Sequence, residues 1–305
     1  MKKRAISLLM AGTMALSLAG CGGGADATTA AKETTAAVSA EADSTAAEDA
    51  ADKTEADKTE TSGEAAAADT SAGGTFTVGF DQDFPPMGFK GDDGEYTGFD
   101  LALAEEVATR LGLEFVPQPI AWDAKDMELS SGTIDCIWNG FTMNGREDAY
   151  TWSEPYMDNS QVFVVAADSG IAGFEDLAGK VVEVQADSSA EAALKDNTEL
   201  TGTFGTLQTT PDYNTAFMDL EMGAVDAIAM DVIVAGYQIE QRGEDDKYVI
   251  LEDTLASEEY GIGFKLGNED LRNKVQSTLE EMAADGTLEK ISTEWFGRDV
   301  TTIGK

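Results

Sequence analysis

Residues Ile134–Tyr156 read IDCIWNGFTMNGREDAYTWSEPY. Ile134, Cys136 and Trp138 fall on one face at a period of two, which predicts a buried strand that stops at Asn139-Gly140. A hydroxyl, Thr142, and a guanidinium, Arg146, follow close behind. An Arg side chain carries its N–H donors in a planar fork that matches a carboxylate bidentately. A strand-end loop presenting the Gly140 N–H, Thr142 and Arg146 therefore suits the α-carboxylate of a small molecule. Standing alone, the same residues are better explained as a surface Arg in a polar turn. The rest of the chain decides between these readings.

Outward from that stretch, strands and helices alternate. Thr75–Phe80 reads as a strand, and Phe99–Leu111 as a helix with Phe99, Leu103, Val107 and Leu111 on one stripe and Gly112 as its stop. A short strand over Glu114–Val116 and a helix over Ala124–Ser130 lead into the Ile134 strand. Beyond it, strands are expected over Gln161–Ala166, Lys180–Gln185, Ala227–Met230 and Tyr260–Lys265. Helices are expected over Ser188–Lys195, Tyr213–Met222 and Glu269–Asp285, the last ending at Gly286. This order is the signature of an α/β fold with largely parallel sheets. Ligands of such folds bind outside the carboxyl ends of strands, where Asp81, Asn139, Gln185 and Asp231 fall.

Composition removes several function classes. The chain carries 58 acidic and 20 basic residues, a formal net charge of −38, which argues against a nucleic-acid or anionic-lipid surface. It has no His, which excludes Ser-His-Asp and Cys-His chemistry and removes the commonest metal ligand. No catalytic residues, metal or cofactor are expected. Cys136, mid-strand, reads as a small buried hydrophobe, with no internal disulfide once Cys21 is set aside.

The N-terminus reads as an address. Lys2, Lys3 and Arg4 precede an apolar run, Ala5 to Leu18, too short for a comfortable membrane span of ~20 residues. Residues 1–20 are thus expected to be an export signal. Cys21 directly follows Leu18-Ala19-Gly20 and resembles a bacterial lipobox, which implies that Cys21 is diacylated and becomes the mature N-terminus. From there to residue 74 the chain is mostly Ala, Thr, Glu, Asp, Ser and Gly, with nothing to build a core, and a disordered tether is expected. A flexible chain of that length spans roughly 40 Å end to end.

Several segments together resemble the solute-binding proteins of bacterial polar amino-acid ABC importers, the extracellular solute-binding proteins of family 3, which include glutamine-, histidine- and lysine/arginine/ornithine-binding proteins. They are Val78–Pro86 (VGFDQDFPP), Gly94–Leu101 (GEYTGFDL), Gly132–Asp135 (GTID), Asp176–Lys180 (DLAGK), Val225–Ala227 (VDA) and Tyr260–Gly263 (YGIG). The resemblance implies a two-lobe periplasmic-binding-protein fold of type II, with residues 75–158 and 260–305 as lobe 1 and 161–257 as lobe 2. Two strands would cross at the hinge, near Tyr156–Gln161 and Ala256–Tyr260, and the ligand would lie between the lobes. It further implies a lipid-anchored protein on the extracytoplasmic face of the cell membrane, a monomer that passes its ligand to an ABC permease with its ATPase.

Its ligand contacts map onto particular residues. Arg146, Gly140 and Thr142, beside Asn139, match the α-carboxylate site, although one residue is missing between Thr142 and Arg146 relative to the usual spacing. Asp231 matches the Asp that holds the α-ammonium. Phe84 and Trp122 match aromatic walls, where a flat ring against a cationic or aliphatic stem contributes roughly 0.5–2 kcal/mol. Asp81 matches an Asp that meets the ligand side chain, and Gln185 lies nearby. Ser188 and Ser189 match the lobe 2 loop that closes over the carboxylate, with Asp187 where the family usually has Gly.

With Arg146 engaged by the α-carboxylate, no second cation is expected for an acidic ligand side chain, so glutamate and aspartate are disfavoured. Asp81 and Gln185 favour a polar ligand: glutamine, a basic amino acid or cystine. Two further readings stand beside the importer component, a lipid-anchored sensor or adhesin, and a dehydratase-type enzyme on the same fold.

Overall fold

The computed structural model describes residues 74–243 and 246–305. The expected export signal, the expected acylation of Cys21 and the expected tether fall on residues 1–73, outside the described residues. In chain order the first elements are β1 (Thr75–Phe80), β2 (Asp83–Phe84), β3 (Gly88–Lys90), β4 (Tyr96–Thr97), α1 (Phe99–Leu111), β5 (Glu114–Pro119), α2 (Lys125–Ser131), β6 (Cys136–Thr142) and β7 (Thr151–Trp152). Next come β8 (Met157–Ala166), β9 (Val181–Gln185), α3 (Ser189–Asp196), α4 (Thr198–Thr201), β10 (Thr206–Thr210), α5 (Tyr213–Glu221), β11 (Ala227–Asp231) and α6 (Val232–Arg242). The chain closes with β12 (Tyr248–Ile250), β13 (Ala256–Phe264), α7 (Glu269–Asp285) and α8 (Thr287–Phe296).

Two parallel trios form the frame. β1 lies between β5 and β6, and β9 between β10 and β11. β8 and β13 join the trios and are antiparallel to their neighbours. β8 pairs with β11 over Gln161–Val165, and β13 pairs with β6 over Tyr260–Phe264. The two long strands pair with each other over Met157–Gln161 and Ala256–Tyr260. Each trio with its helices makes one lobe of a two-lobe periplasmic-binding-protein fold, and the antiparallel pair runs between the lobes.

The periodicity of the sequence explains the packing. Phe76, Val78 and Phe80 of β1 are fully buried, as are Phe99, Leu103 and Val107 on one face of α1. Each such side chain stabilises the fold by about 1.5–3 kcal/mol relative to exposure. α1 ends where Gly112, at φ 70°, turns its N–H back onto the carbonyls of Ala108 and Thr109. α7 and α8 cover α1, bringing Val275, Leu279 and Leu288 into the same core. Cys136 is a buried free thiol in that core.

The strand expected to stop at Asn139-Gly140 instead continues to Thr142. β13 holds it there, pairing Tyr260 with Thr142 and Gly261 with Phe141. Asn139 and Gly140 are therefore strand residues. Ile134 precedes the strand and packs with Ile137 and Phe141, whereas Cys136 and Trp138 face the main core. The expected strand at Tyr260 begins earlier, at Ala256. The sheet is also less parallel than expected, because β8 and β13 run against their neighbours.

Candidate functional site

One pocket between the lobes is lined by Phe84, Trp122, Asn139, Gly140, Thr142, Arg146, Gln185, Ser188, Ser189 and Asp231. Ten of the eleven ligand-binding candidates thus meet at one place. The eleventh, Asp81, is one step away: it lines an adjoining cleft with Asp83, Trp122 and Asp212, and accepts a hydrogen bond from Gln185 Nε2 at 2.6 Å.

At one end stand Arg146, Thr142 and the start of α3. Arg146 Nη1 donates to the Thr142 carbonyl at 3.2 Å and Nη2 to the Asp187 carbonyl at 3.4 Å, while the guanidinium sits 5.2 Å from the centre of the Phe141 ring. Ser188 caps α3 by accepting from the Glu191 N–H, so the helix N-terminus faces the pocket beside Arg146. The expected Gly140 N–H donor is already engaged: it donates to Asp100 Oδ2 at 2.6 Å, and Tyr156 O–H donates to the same oxygen at 2.8 Å. A larger residue at Gly140 would be strained and crowded. The glycine's φ is 56°, and an added Cβ would meet the Phe84 ring at 3.0 Å and the Tyr260 ring at 3.2 Å.

A second cation does lie beside this end. Lys125, only 2% exposed, points its Nζ at the Asp187 carboxylate, at the carbonyls of Asp187 and Trp122, and at the Trp122 ring 5.1 Å away. Burial lowers its pKa, and the contact with Asp187 raises it in part. Lys125 is thus paired with a residue of the opposite lobe. Asp187 itself adopts φ 59°, the left-handed conformation in which Asp can replace Gly. Trp122 divides its surface between the pocket and an edge-on contact with Phe141.

At the other end Asp231 closes β11, 3% exposed. Its Oδ1 accepts from Asn159 Nδ2 and Gln161 Nε2, each at 2.8 Å, and from the Tyr260 hydroxyl. Burial and the neighbouring Glu258 charge push its carboxyl well above the usual range. The Tyr213 hydroxyl, buried without a hydrogen-bond partner, faces Asp231 and Ser188, and its ring lies 6.0 Å from Phe84. At the side-chain end, burial raises Asp81 to about 6, against the pull of the Asp83 N–H and the Gln185 amide. Sequence reasoning missed Lys125, Glu258, Asn159, Gln161, Tyr213, Tyr260 and Asp100. Asp100 and Tyr260 lie in the GEYTGFDL and YGIG segments without having been read as site residues, the other five lie in no quoted segment, and all are brought to the site by the fold. Among the described residues no cluster of His, Cys, Asp or Glu is arranged to hold a metal, and no helix is long and apolar enough to cross a membrane.

The geometry joins a cation and a helix N-terminus at one end of a pocket to a carboxylate at the other. Residues 76–298 match the family model of the bacterial extracellular solute-binding proteins, family 3, and the chain belongs to that family. The L-cystine-binding protein TcyJ of Escherichia coli is 34% identical over 231 residues, 75% of this chain and 85% of that protein. A histidine-bound ABC uptake transporter substrate-binding protein of Streptococcus pneumoniae superposes with a TM-score of 0.72 at 36% identity, covering 75% of this chain and 94% of the other. The ancestral amino acid-binding protein AncCDT-1, a precursor of cyclohexadienyl dehydratase, superposes with a TM-score of 0.66 at 32% identity, covering 73% and 96%.

Proposed function

We propose that this member of the solute-binding family captures one polar L-amino acid between its lobes and delivers it to an ABC permease. The observation that carries the reading is the polarity of this one pocket among several, with Arg146 and the α3 N-terminus at one end and Asp231 at the other. A free amino acid presents the complementary pair, an α-carboxylate and an α-ammonium. Arg146, Thr142, Ser188 and Ser189 hold the carboxylate; Asp231 holds the ammonium; Phe84 and Trp122 flank the stem; Gln185, Asn139 and Asp81 meet a polar side chain. Glutamine, a basic amino acid and cystine all fit that polarity, and the likeness to a cystine-binding and a histidine-bound protein supports the class.

The lobes are residues 75–158 with 260–305, and 161–257, hinged where β8 pairs with β13. Closure of two rigid lobes over the ligand is the expected motion. Ligand-stripped protein titrated against the standard amino acids plus cystine should bind one polar member one-to-one, near micromolar, about −8 kcal/mol, and its melting temperature should rise. The absence of any shift or heat would overturn the reading.

Acylation of Cys21 would tie the protein to the outer face of the cell membrane. Labelled palmitate should enter the wild type and not Cys21→Ala. The dehydratase reading has one observation in its favour, the likeness to a dehydratase precursor. That precursor is itself described as amino acid-binding, and this pocket has no His to serve as acid or base. The protein is read as a binding protein and not an enzyme.

A further inference from the structure

We propose that Asp231 and Glu258 form a pair that carries one proton in the ligand-free protein and releases it to solvent when an amino acid's α-ammonium binds, with Glu258 the residue that positions that proton. This deepens the amino-acid reading above and rests on it. Asn159 Nδ2 lies 2.8 Å from Asp231 Oδ1 and 2.6 Å from Glu258 Oε1; Gln161 Nε2 lies 2.8 Å and 2.7 Å from the same two oxygens. Two oxygens that share both donors are close neighbours. Both carboxyl groups are buried, 3% and 5% exposed.

The groups facing the pair do not neutralise two charges. From β8 and β13 come only neutral donors, the two amides and the Tyr260 hydroxyl. From α5 comes the partnerless Tyr213 hydroxyl, and at the start of α3 Ser189 accepts from Gln161. The cations that share a cleft with Glu258 are engaged elsewhere, Lys195 with Glu191 at 2.8 Å and Arg146 with two carbonyls, and the remaining charged residues there, Asp187 and Asp196, are acidic. Among the described residues no ion pair joins either carboxylate to a Lys or Arg. Like charges this close, on side chains this buried, do not both ionise, so one proton is shared. An ammonium placed against Asp231 supplies the missing positive charge. The shared proton then leaves as a hydrated proton, and both carboxylates stay ionised around the ligand.

The ligand's ammonium and carboxylate keep their charges from mildly acid to neutral pH, so any proton released comes from the protein. L-glutamine, L-arginine and L-cystine are titrated calorimetrically in buffers of unlike ionisation enthalpy, against the wild type and Glu258→Gln. Gln keeps the size of the side chain and can donate to Asp231 in place of the proton. The wild type should release about one proton per ligand, and its affinity should fall about tenfold per pH unit below the pair's titration. Glu258→Gln should lose that release and flatten that slope; Asp81 is common to both proteins, so the difference belongs to the pair. Equal proton release in both proteins, or none in a wild type that binds, overturns the proposal. If none of the three ligands binds, infrared spectra of the ligand-free protein decide the pair separately. A carboxylic-acid C=O band lost in both Asp231→Asn and Glu258→Gln supports it, and unchanged bands overturn it.

Discussion

Gly140 and Asp100 show how single residues shape this site. A Cβ at Gly140 would press on Phe84 and Tyr260 in a backbone conformation with φ 56°, so Gly140→Ala should destabilise the protein by about 1–3 kcal/mol, read from chemical denaturation. Asp100 holds the Gly140 N–H and the Tyr156 hydroxyl from inside the core, where burial raises its carboxyl to about 7. A carboxyl raised on folding keeps its proton in the folded chain while the unfolded chain has lost it. Its contribution is therefore full below about pH 4 and is lost as pH rises through 7. Asp100→Asn keeps the accepting oxygen and cannot ionise, so denaturation midpoints should fall less steeply across that window than in the wild type. An unchanged slope would show that Asp100 is ionised in the fold. At the ligand, Arg146→Ala and Asp231→Ala should each weaken binding by about 3–5 kcal/mol with the fold intact by circular dichroism, since each leaves a ligand charge unpaired in a closed pocket.

Among the elements, β1, α1 and α7 were legible to the residue because periodicity and a following turn or Gly mark both ends. β6 was misread because Asn139-Gly140 reads locally as a turn, while pairing with β13 more than a hundred residues away continues the strand. The same limit hid Lys125, Glu258 and Tyr213, which are unremarkable in their own segments and meet the site only through the fold. Asp81, Gln185 and Asp231 were legible because strand ends in an α/β fold converge, whereas Phe84, Trp122, Ser188 and Ser189 came only with the family resemblance. Across the pocket, α2 and the loop before α3 touch through Lys125 and Asp187. Under the proposed hinge motion, opening the lobes would break that contact. Asp187→Ala leaves the buried Lys125 with backbone carbonyls alone, and because the Asp187 side chain is half exposed, a loss between that of an exposed and a buried pair, about 1–2 kcal/mol, is expected. Ligand affinity should fall about tenfold, and scattering of the liganded protein should show a larger radius of gyration. An unchanged affinity would remove the clasp from the closure equilibrium.

On the scale of the whole molecule, two parallel trios joined by an antiparallel pair leave the strand ends of each lobe facing the other. Neither lobe alone offers both charges: Arg146 comes from the trio of β1, β5 and β6, and Asp231 from the trio of β9, β10 and β11. In the proposed clamp, closure assembles the complement to a zwitterion. The most direct test is therefore calorimetric titration of the ligand-stripped protein with its tightest-binding amino acid, alongside the same compound without its α-carboxylate and the same compound without its α-amino group. The account predicts one-to-one binding of the intact amino acid and at least a hundredfold weaker binding, about 3 kcal/mol, for each truncated compound. Comparable affinity for either truncated compound would contradict the clamp between Arg146 and Asp231.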